Sequence, residues 1–239
     1  MARIERRVIP YTPRAAFRAF HQRRQRWAAI VAHRRAGKTV ACINDLIRRA
    51  IQDGKTDGRY GYISPFLSQS KQVAWDYLLK YSAPLRTKAN ASELWIELVN
   101  GSRIRLFGAD NAEAMRGIFL DGCVCDEYAD WKPGIWQTIL RPALSDRKGW
   151  AVFIGTPKGP NAFKRLVDEA RNSAEWFNLT LKASESEILP AGELADAARQ
   201  MAADQYAQEY ECSFEAAVVG AIFADLIGKA REDGRICGV

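Results

Sequence analysis

"VAHRRAGKTV", residues 31–40, decides the fold. A phosphate-binding loop needs a strand, a turn whose backbone amides converge, and a helix N-terminus; amides and helix dipole then hold phosphates. The neighbouring sequence has that order. "RWAAIVA" (26–32) is a short apolar run, read as a strand, and "VACINDLIRRAI" (40–51) has apolar residues at helical spacing. The stretch meets G-x-x-x-x-G-K-[ST] except that Ala32 stands at the first glycine. Alanine is the smallest replacement and is tolerable if that position needs no positive φ. Gly37 lets the backbone close on a phosphate, with Arg35 and Ala36 in the same cradle. Lys38 can reach the β- and γ-phosphates, and Thr39 can ligate Mg²⁺.

A phosphate loop performs chemistry only with a second element, a buried strand delivering a carboxylate to the metal beside the phosphates. "GCVCDEYADW" (122–131) supplies one. Asp126 is the metal-side carboxylate. Glu127, facing another direction at the strand end, can act as general base on water. "FIGTPKG" (153–159) ends a further strand and places Thr156 where a hydroxyl can either bond the catalytic carboxylate or sense the γ-phosphate; Gly-Thr-Pro is also a generic turn.

Working outward, "RYGYISP" (59–65) reads as a strand, "SQSKQVAWDYLLKYSA" (68–83) as a helix, and "SELWIELVNGSRIRLFG" (92–108) as a hairpin about Asn100-Gly101. "WAVFIGTP" (150–157) and "EWFNLTLKA" (175–183) are strands, "NAFKRLVDEARN" (161–172) a helix, and the pattern from 192 onward is mostly helical. Strands alternating with helices predict an α/β fold with a mainly parallel central sheet flanked by helices, the hairpin being an antiparallel excursion.

Composition sets the bounds. The 239 residues are 48% hydrophobic and 26% charged, as in globular proteins. No apolar run approaches the roughly 20 residues of a membrane span, and the basic first residues lack an apolar signal core. The five cysteines have no metal spacing and read as buried residues of a reducing compartment. Net charge is +7, unevenly distributed: residues 1–40 hold eleven Lys/Arg and one acid, residues 183–215 eight acids and one base. A basic end suits a polyanionic partner, and opposite ends suit head-to-tail contacts between copies; a merely solvated basic surface is the other reading. Arg14, Arg18, Arg23, Arg24 and Arg26 either line a DNA channel, holding duplex through phosphates, or make subunit contacts. His33 reads as a loop residue rather than a catalytic one, and the seven tryptophans as core rather than DNA-stacking residues.

The loop, "MRGIFLDGCVCDEYADW", "LRPALSDRKGWAVFIGTPKGPNAF" and "YAQEYECSF" together resemble the large terminase subunit of tailed bacteriophages, from Tyr11 to about Phe223. The resemblance implies an ASCE-type P-loop NTPase with a small lid subdomain: ATPase core over 1–182, helical lid or C-terminal part over 183–223, and over 224–239 a linker toward a nuclease domain that this chain lacks, as in a fragment or expressed domain. It implies ATP hydrolysis with Mg²⁺, without nuclease activity, in a motor driving double-stranded viral DNA into a procapsid. Arg34 matches a loop arginine proposed to act in cis on the γ-phosphate, Thr156 a motif coupling hydrolysis to movement, and Arg116 an arginine proposed to reach a neighbouring subunit's ATP. The implied partners are DNA, portal protein, small terminase subunit and a homo-oligomeric (pentameric) ring, with no membrane, in the host bacterial cytoplasm at the portal vertex. Phe17 stands near the position of the family's adenine-reading glutamine, so base recognition here rests on stacking and backbone contacts. Other P-loop DNA translocases, helicase-like ones included, and a nucleotide-gated DNA-binding assembly module are the alternatives. The sequence lacks the extra motor motifs of a two-lobed helicase, and intact Lys38, Asp126 and Glu127 argue against the module.

Overall fold

The computed structural model describes residues 7–53, 55, 57–215, 230, 233 and 235. The expected linker, 224–239, therefore falls almost wholly outside the described residues, as does the 216–223 end of the lid.

Among the described residues, eight strands form one sheet in the order β3-β4-β5-β2-β6-β7-β1-β8. They are β1 Trp27–Ala32, β2 Arg59–Ser64, β3 Arg86–Asn90, β4 Trp95–Leu98, β5 Arg103–Gly108, β6 Gly122–Cys125, β7 Trp150–Gly155 and β8 Trp176–Leu181. β1 runs parallel to β7 and β8, β2 to β5 and β6, and β6 to β7. Only β3-β4-β5 is antiparallel. β1, β6 and β7 are buried throughout because helices cover both faces, which is why they read as unbroken apolar runs.

The helices are α1 Arg18–Gln22, α2 Lys38–Gln52, α3 Leu67–Val73, α4 Trp75–Ser82, α5 Arg141–Ala143, α6 Ala162–Arg171, α7 Ala183–Ser186, α8 Ala191–Gln200 and α9 Ala203–Glu209. One core layer joins Ile43, Leu46 and Ile47 of α2 and Leu78 of α4 to Tyr62, Ile104 and Ile154 of the sheet. The other face packs Phe163 and Val167 of α6, with Ile139 and Leu140, on Ala29, Cys125 and Phe153.

Three elements depart from expectation. The helix over 68–83 is two segments meeting at Ala74. β3, "RTKAN", has no apolar alternation; it is an edge strand whose exposed Lys88 discourages edge-to-edge pairing. A π-turn at Trp136–Leu140 leads into α5. The hairpin is as read, with Gly101 at φ 80° in its turn. Trp27, Trp75, Trp131 and Trp150 are buried and Trp95, Trp136 and Trp176 half-buried. The described cysteines, 42, 123, 125 and 212, are free and buried; Cys237 lies outside the described residues. No described helix is long and apolar enough to cross a membrane.

The N-terminal arginines correct one expectation. Arg23 is only 7% exposed and pairs with buried Asp45 at 2.7 Å, so it cannot line a channel. Arg26 Nε donates to the Gly149 carbonyl at 2.7 Å, and its guanidinium lies over Trp27. Arg14 is engaged at the phosphate loop. Only Arg18 and Arg24 of the five are exposed without such a bond.

Candidate nucleotide site

The loop between β1 and α2 is built around two left-handed residues, Arg35 (φ 66°) and Gly37 (φ 92°). Ala32, the departure from the usual pattern, is the last residue of β1, fully buried and without positive φ. It needs no glycine. Gly37 does, for a backbone conformation that L side chains rarely adopt. A Cβ there would also come within 3.2 Å of Arg14 Nη1. Arg14 Nη1 donates to the Ala36 carbonyl at 2.7 Å and reaches that of Arg35 at 3.4 Å. Two loop carbonyls are thus taken up by one guanidinium, and the amides at the start of α2 remain to hold an anion.

Sheet order brings the acids to this loop. β7 lies between β1 and β6, so the loop and the Asp126-Glu127 strand end are about two strand spacings, or roughly 10 Å, apart. A phosphate group fits that gap, and the C-terminal end of the intervening strand places Thr156 between them. Lys38 Nζ stands 3.8 Å from Glu127 Oε1. Thr156 Oγ1 donates to Glu127 Oε2 at 3.5 Å. Glu127 has φ 45°, ψ 48°. This left-handed conformation is costly for a side chain of its size; the carboxylate it carries reaches Lys38 and Thr156.

Asp126 is buried. Tyr62 Oη donates to its Oδ2 at 2.7 Å and the Glu127 amide to its Oδ1 at 3.0 Å. Trp131 Nε1 donates to its backbone carbonyl at 3.0 Å. Burial, with the Glu127 charge adding to it, pushes the Asp126 carboxyl up to about 7. Tyr62 thus fixes Asp126 from the neighbouring strand β2. Among the described residues no group of three or more His, Cys, Asp or Glu could hold a metal. A hydroxyl, a carboxylate and substrate oxygens are nevertheless the donor set Mg²⁺ takes at phosphates, since it keeps several waters. A buried carboxylate short of positive charge fits a cation.

An open cleft of about 730 Å³ runs from Arg14 and the 35–40 segment past Val73 and Tyr77 of the α3–α4 unit to Ile188, Leu189, Pro190 and Glu193. Of the expected residues, Arg35, Ala36, Gly37, Lys38 and Thr39 line it. Asp126, Glu127 and Thr156 form the linked group behind Lys38. Arg34 does not line the cleft: its Nη1 lies 3.8 Å from Glu209 Oε2, and its amide donates to the Glu209 carbonyl at 2.9 Å. Arg116 is exposed, pairs with Glu113 and borders a different surface hollow with Thr138 and Pro142. His33 is buried. Its Nδ1 donates to the Arg34 carbonyl at 2.7 Å; burial lowers its pKa, so the neutral ring accepts from Ser186 Oγ at 2.9 Å through Nε2.

Sequence reasoning missed Tyr62 and Arg14 as site residues. Tyr62 lies on a strand whose adjacency to β6 is a property of topology. Arg14 sits in a basic run where nothing local separates it from its neighbours.

No protein-family model matches the chain. The large terminase subunit of Escherichia phage T5 is 29% identical over 131 residues, covering 53% of this chain and 30% of that protein. That of Thermus phage G20c is 42% identical over 62 residues, 26% of this chain and 13% of that protein. The matches thus span less than a third of these curated relatives. Among solved structures, the large terminase ATPase domain of Thermus phage P74-26 superposes with a TM-score of 0.75 at 19% identity, over 86% of this chain and 95% of that one. The large terminase of another thermophilic bacteriophage, in complex with ATP-γ-S, gives 0.67 at 17% identity, over 80% and 48%. At such identities the structures speak for the fold, an α/β sheet of the terminase ATPase kind. In sequence the chain is similar over part of its length to phage large terminase subunits, and its fold is that of the terminase ATPase domain structures.

Proposed function

We propose that the chain is a Mg²⁺-dependent ATP hydrolase, the motor domain that drives double-stranded viral DNA into a procapsid. The observation that carries the reading is the linked trio Lys38, Glu127 and Thr156: cation, base and hydroxyl from three neighbouring strand ends, joined by contacts of 3.8 Å and 3.5 Å. Lys38 and the α2 amides hold the β- and γ-phosphates. Glu127, steadied by Thr156, takes the proton of the attacking water. Thr39 and Asp126 would hold Mg²⁺, which neutralises phosphate charge when bound. Tyr62, bonded to Asp126, keeps that carboxylate oriented.

The charge of the transition state needs an arginine. Arg34, three residues before Gly37, serves it in cis on leaving Glu209; Arg116, exposed on a separate face, serves it in trans in a ring of copies. A pentameric ring with portal protein and small terminase subunit at the procapsid vertex in the host cytoplasm is the setting this reading implies, and nuclease activity is not part of it. Since neither arginine lines the cleft of the single chain, turnover of dilute protein is slow.

Phosphate release from MgATP, measured against protein concentration, tests the reading. Specific activity that rises with concentration and vanishes in Lys38→Ala supports it. Turnover indifferent to Lys38→Ala overturns it.

A further inference from the structure

The helices covering one face of the sheet stop short of β4 and β5. On that face β5 points Arg103, Arg105 and Phe107 outward, in register with Glu97 and Trp95 of β4, and Arg59 of β2 lies across from Arg103. The next wall is the segment 117–120, with Phe119 38% exposed. Together they enclose a hollow of about 410 Å³. The arginines are braced rather than loose. The Arg103 guanidinium lies 4.7 Å from the Trp95 ring and that of Arg105 5.5 Å from Phe107, while Arg59 donates to the carbonyls of Asp57 and Gly58. Glu97 pairs with Arg103 at 2.9 Å and Glu93 with Arg105 at 3.8 Å. Both arginine side chains keep about half their surface in solvent, 43% and 50%.

We infer that this open face takes the phosphate backbone of duplex DNA; the inference rests on the DNA-motor reading above. Three guanidiniums against two carboxylates leave a positive surface, and Lys88, beside Glu97 at 3.1 Å, adds to it. Ring-braced guanidiniums present planar forks already ordered for phosphate oxygens. Arg103 and Arg105, two residues apart on a strand, are separated by roughly 6.8 Å, close enough to engage neighbouring phosphates of one strand. The contact is blind to sequence, as translocation requires. Segment 117–120 leads into the start of β6, at the end of the sheet opposite Asp126, so the face is separate from the nucleotide cleft. The N-terminal arginines are poorer candidates, since Arg14, Arg23 and Arg26 are spent on internal partners.

The test is duplex binding by the full chain across a salt series, for Arg103→Ala/Arg105→Ala, for Arg103→Lys/Arg105→Lys, and for Arg18→Ala/Arg24→Ala as a charge-matched control. Loss of two phosphate contacts lowers the salt slope by about 1.8 and weakens binding on the order of tenfold at moderate salt. The lysine pair keeps most of the slope, and the control keeps both. DNA-free ATP turnover stays unchanged in the alanine pair while its stimulation by DNA falls. A wild-type chain that does not bind duplex, or a slope that drops only in the control, overturns the inference. So does loss of self-association at unchanged DNA binding, which would make the face a contact between copies. DNA-free turnover of the same preparations tests the hydrolase reading separately, so the two can fail independently.

Discussion

Replacing Asp126 by asparagine should stabilise the nucleotide-free chain in alkaline solution, by an amount that shrinks in acid. Burial and the Glu127 charge raise the Asp126 carboxyl from its ordinary value of 3.8 to about 7. A carboxyl whose folded pKa is raised costs stability as pH climbs: the penalty is absent below the unfolded value, grows through the window between 3.8 and 7, and levels off above it. The full shift corresponds to about 4 kcal/mol near pH 8 and under about 2 kcal/mol near pH 5. Asparagine escapes that cost but offers one acceptor where Asp126 uses two, toward Tyr62 and the Glu127 amide; losing one bond costs about 1 kcal/mol. The net gain is about 3 kcal/mol near pH 8 and under about 1 kcal/mol near pH 5, or roughly 6–12 °C against 1–3 °C in midpoint for a domain of this size. Thermal unfolding followed by circular dichroism, without Mg²⁺ or nucleotide, reads both. Glu127→Gln should recover part of the alkaline gain by removing the neighbouring charge. An asparagine variant equally destabilised at both pH values would mean that Asp126 ionises normally, and the reasoning would fail.

Other perturbations separate the parts of the site. Arg23→Ala removes the 2.7 Å partner of buried Asp45, which keeps Arg48 and Arg49, and should destabilise by about 1.5–3 kcal/mol, while Arg24→Ala, exposed, should leave chemical denaturation within about 0.5 kcal/mol of wild type. Gly37→Ala forces a side chain into a left-handed residue facing Arg14; nucleotide affinity by fluorescence titration should fall on the order of tenfold or more, at a stability cost near about 1 kcal/mol. Tyr62→Phe keeps the ring in the core but removes the hydroxyl that bonds Asp126. The Mg²⁺ concentration for half-maximal turnover should rise about 10-fold, the size expected of an outer-shell partner, with the KM for ATP nearly unchanged.

Much of this site was legible because its chemistry is local. Gly37, Lys38 and Thr39 are contiguous, and Asp126-Glu127 ends an apolar run long enough to be a buried strand. Ala32 could be read as harmless because a strand end needs no positive φ. What resisted reading is set by distant parts of the chain. Nothing near Arg23 distinguishes it from Arg24, yet Asp45, one helix away, buries the first and leaves the second in solvent. β3 hid because edge strands carry charge. Tyr62 joins the site only because β2 lies beside β6, an adjacency no local pattern encodes. Arg34 and Arg116 could be singled out by motif, but their partners in the single chain, Glu209 and Glu113, come from packing.

Hydrolysis by Glu127 between Lys38 and Thr156 is the central claim, and a single-turnover comparison of wild type with Glu127→Gln meets it most directly. Protein in excess over MgATP, at a concentration where wild type is active, removes binding and product release from the measurement. Phosphate formation should fall by about 10²–10⁴-fold in the variant, the usual worth of a general base, with ATP affinity held within a few-fold. Equal rates in the two proteins, or loss of ATP binding as the whole cause of the defect, would contradict the account.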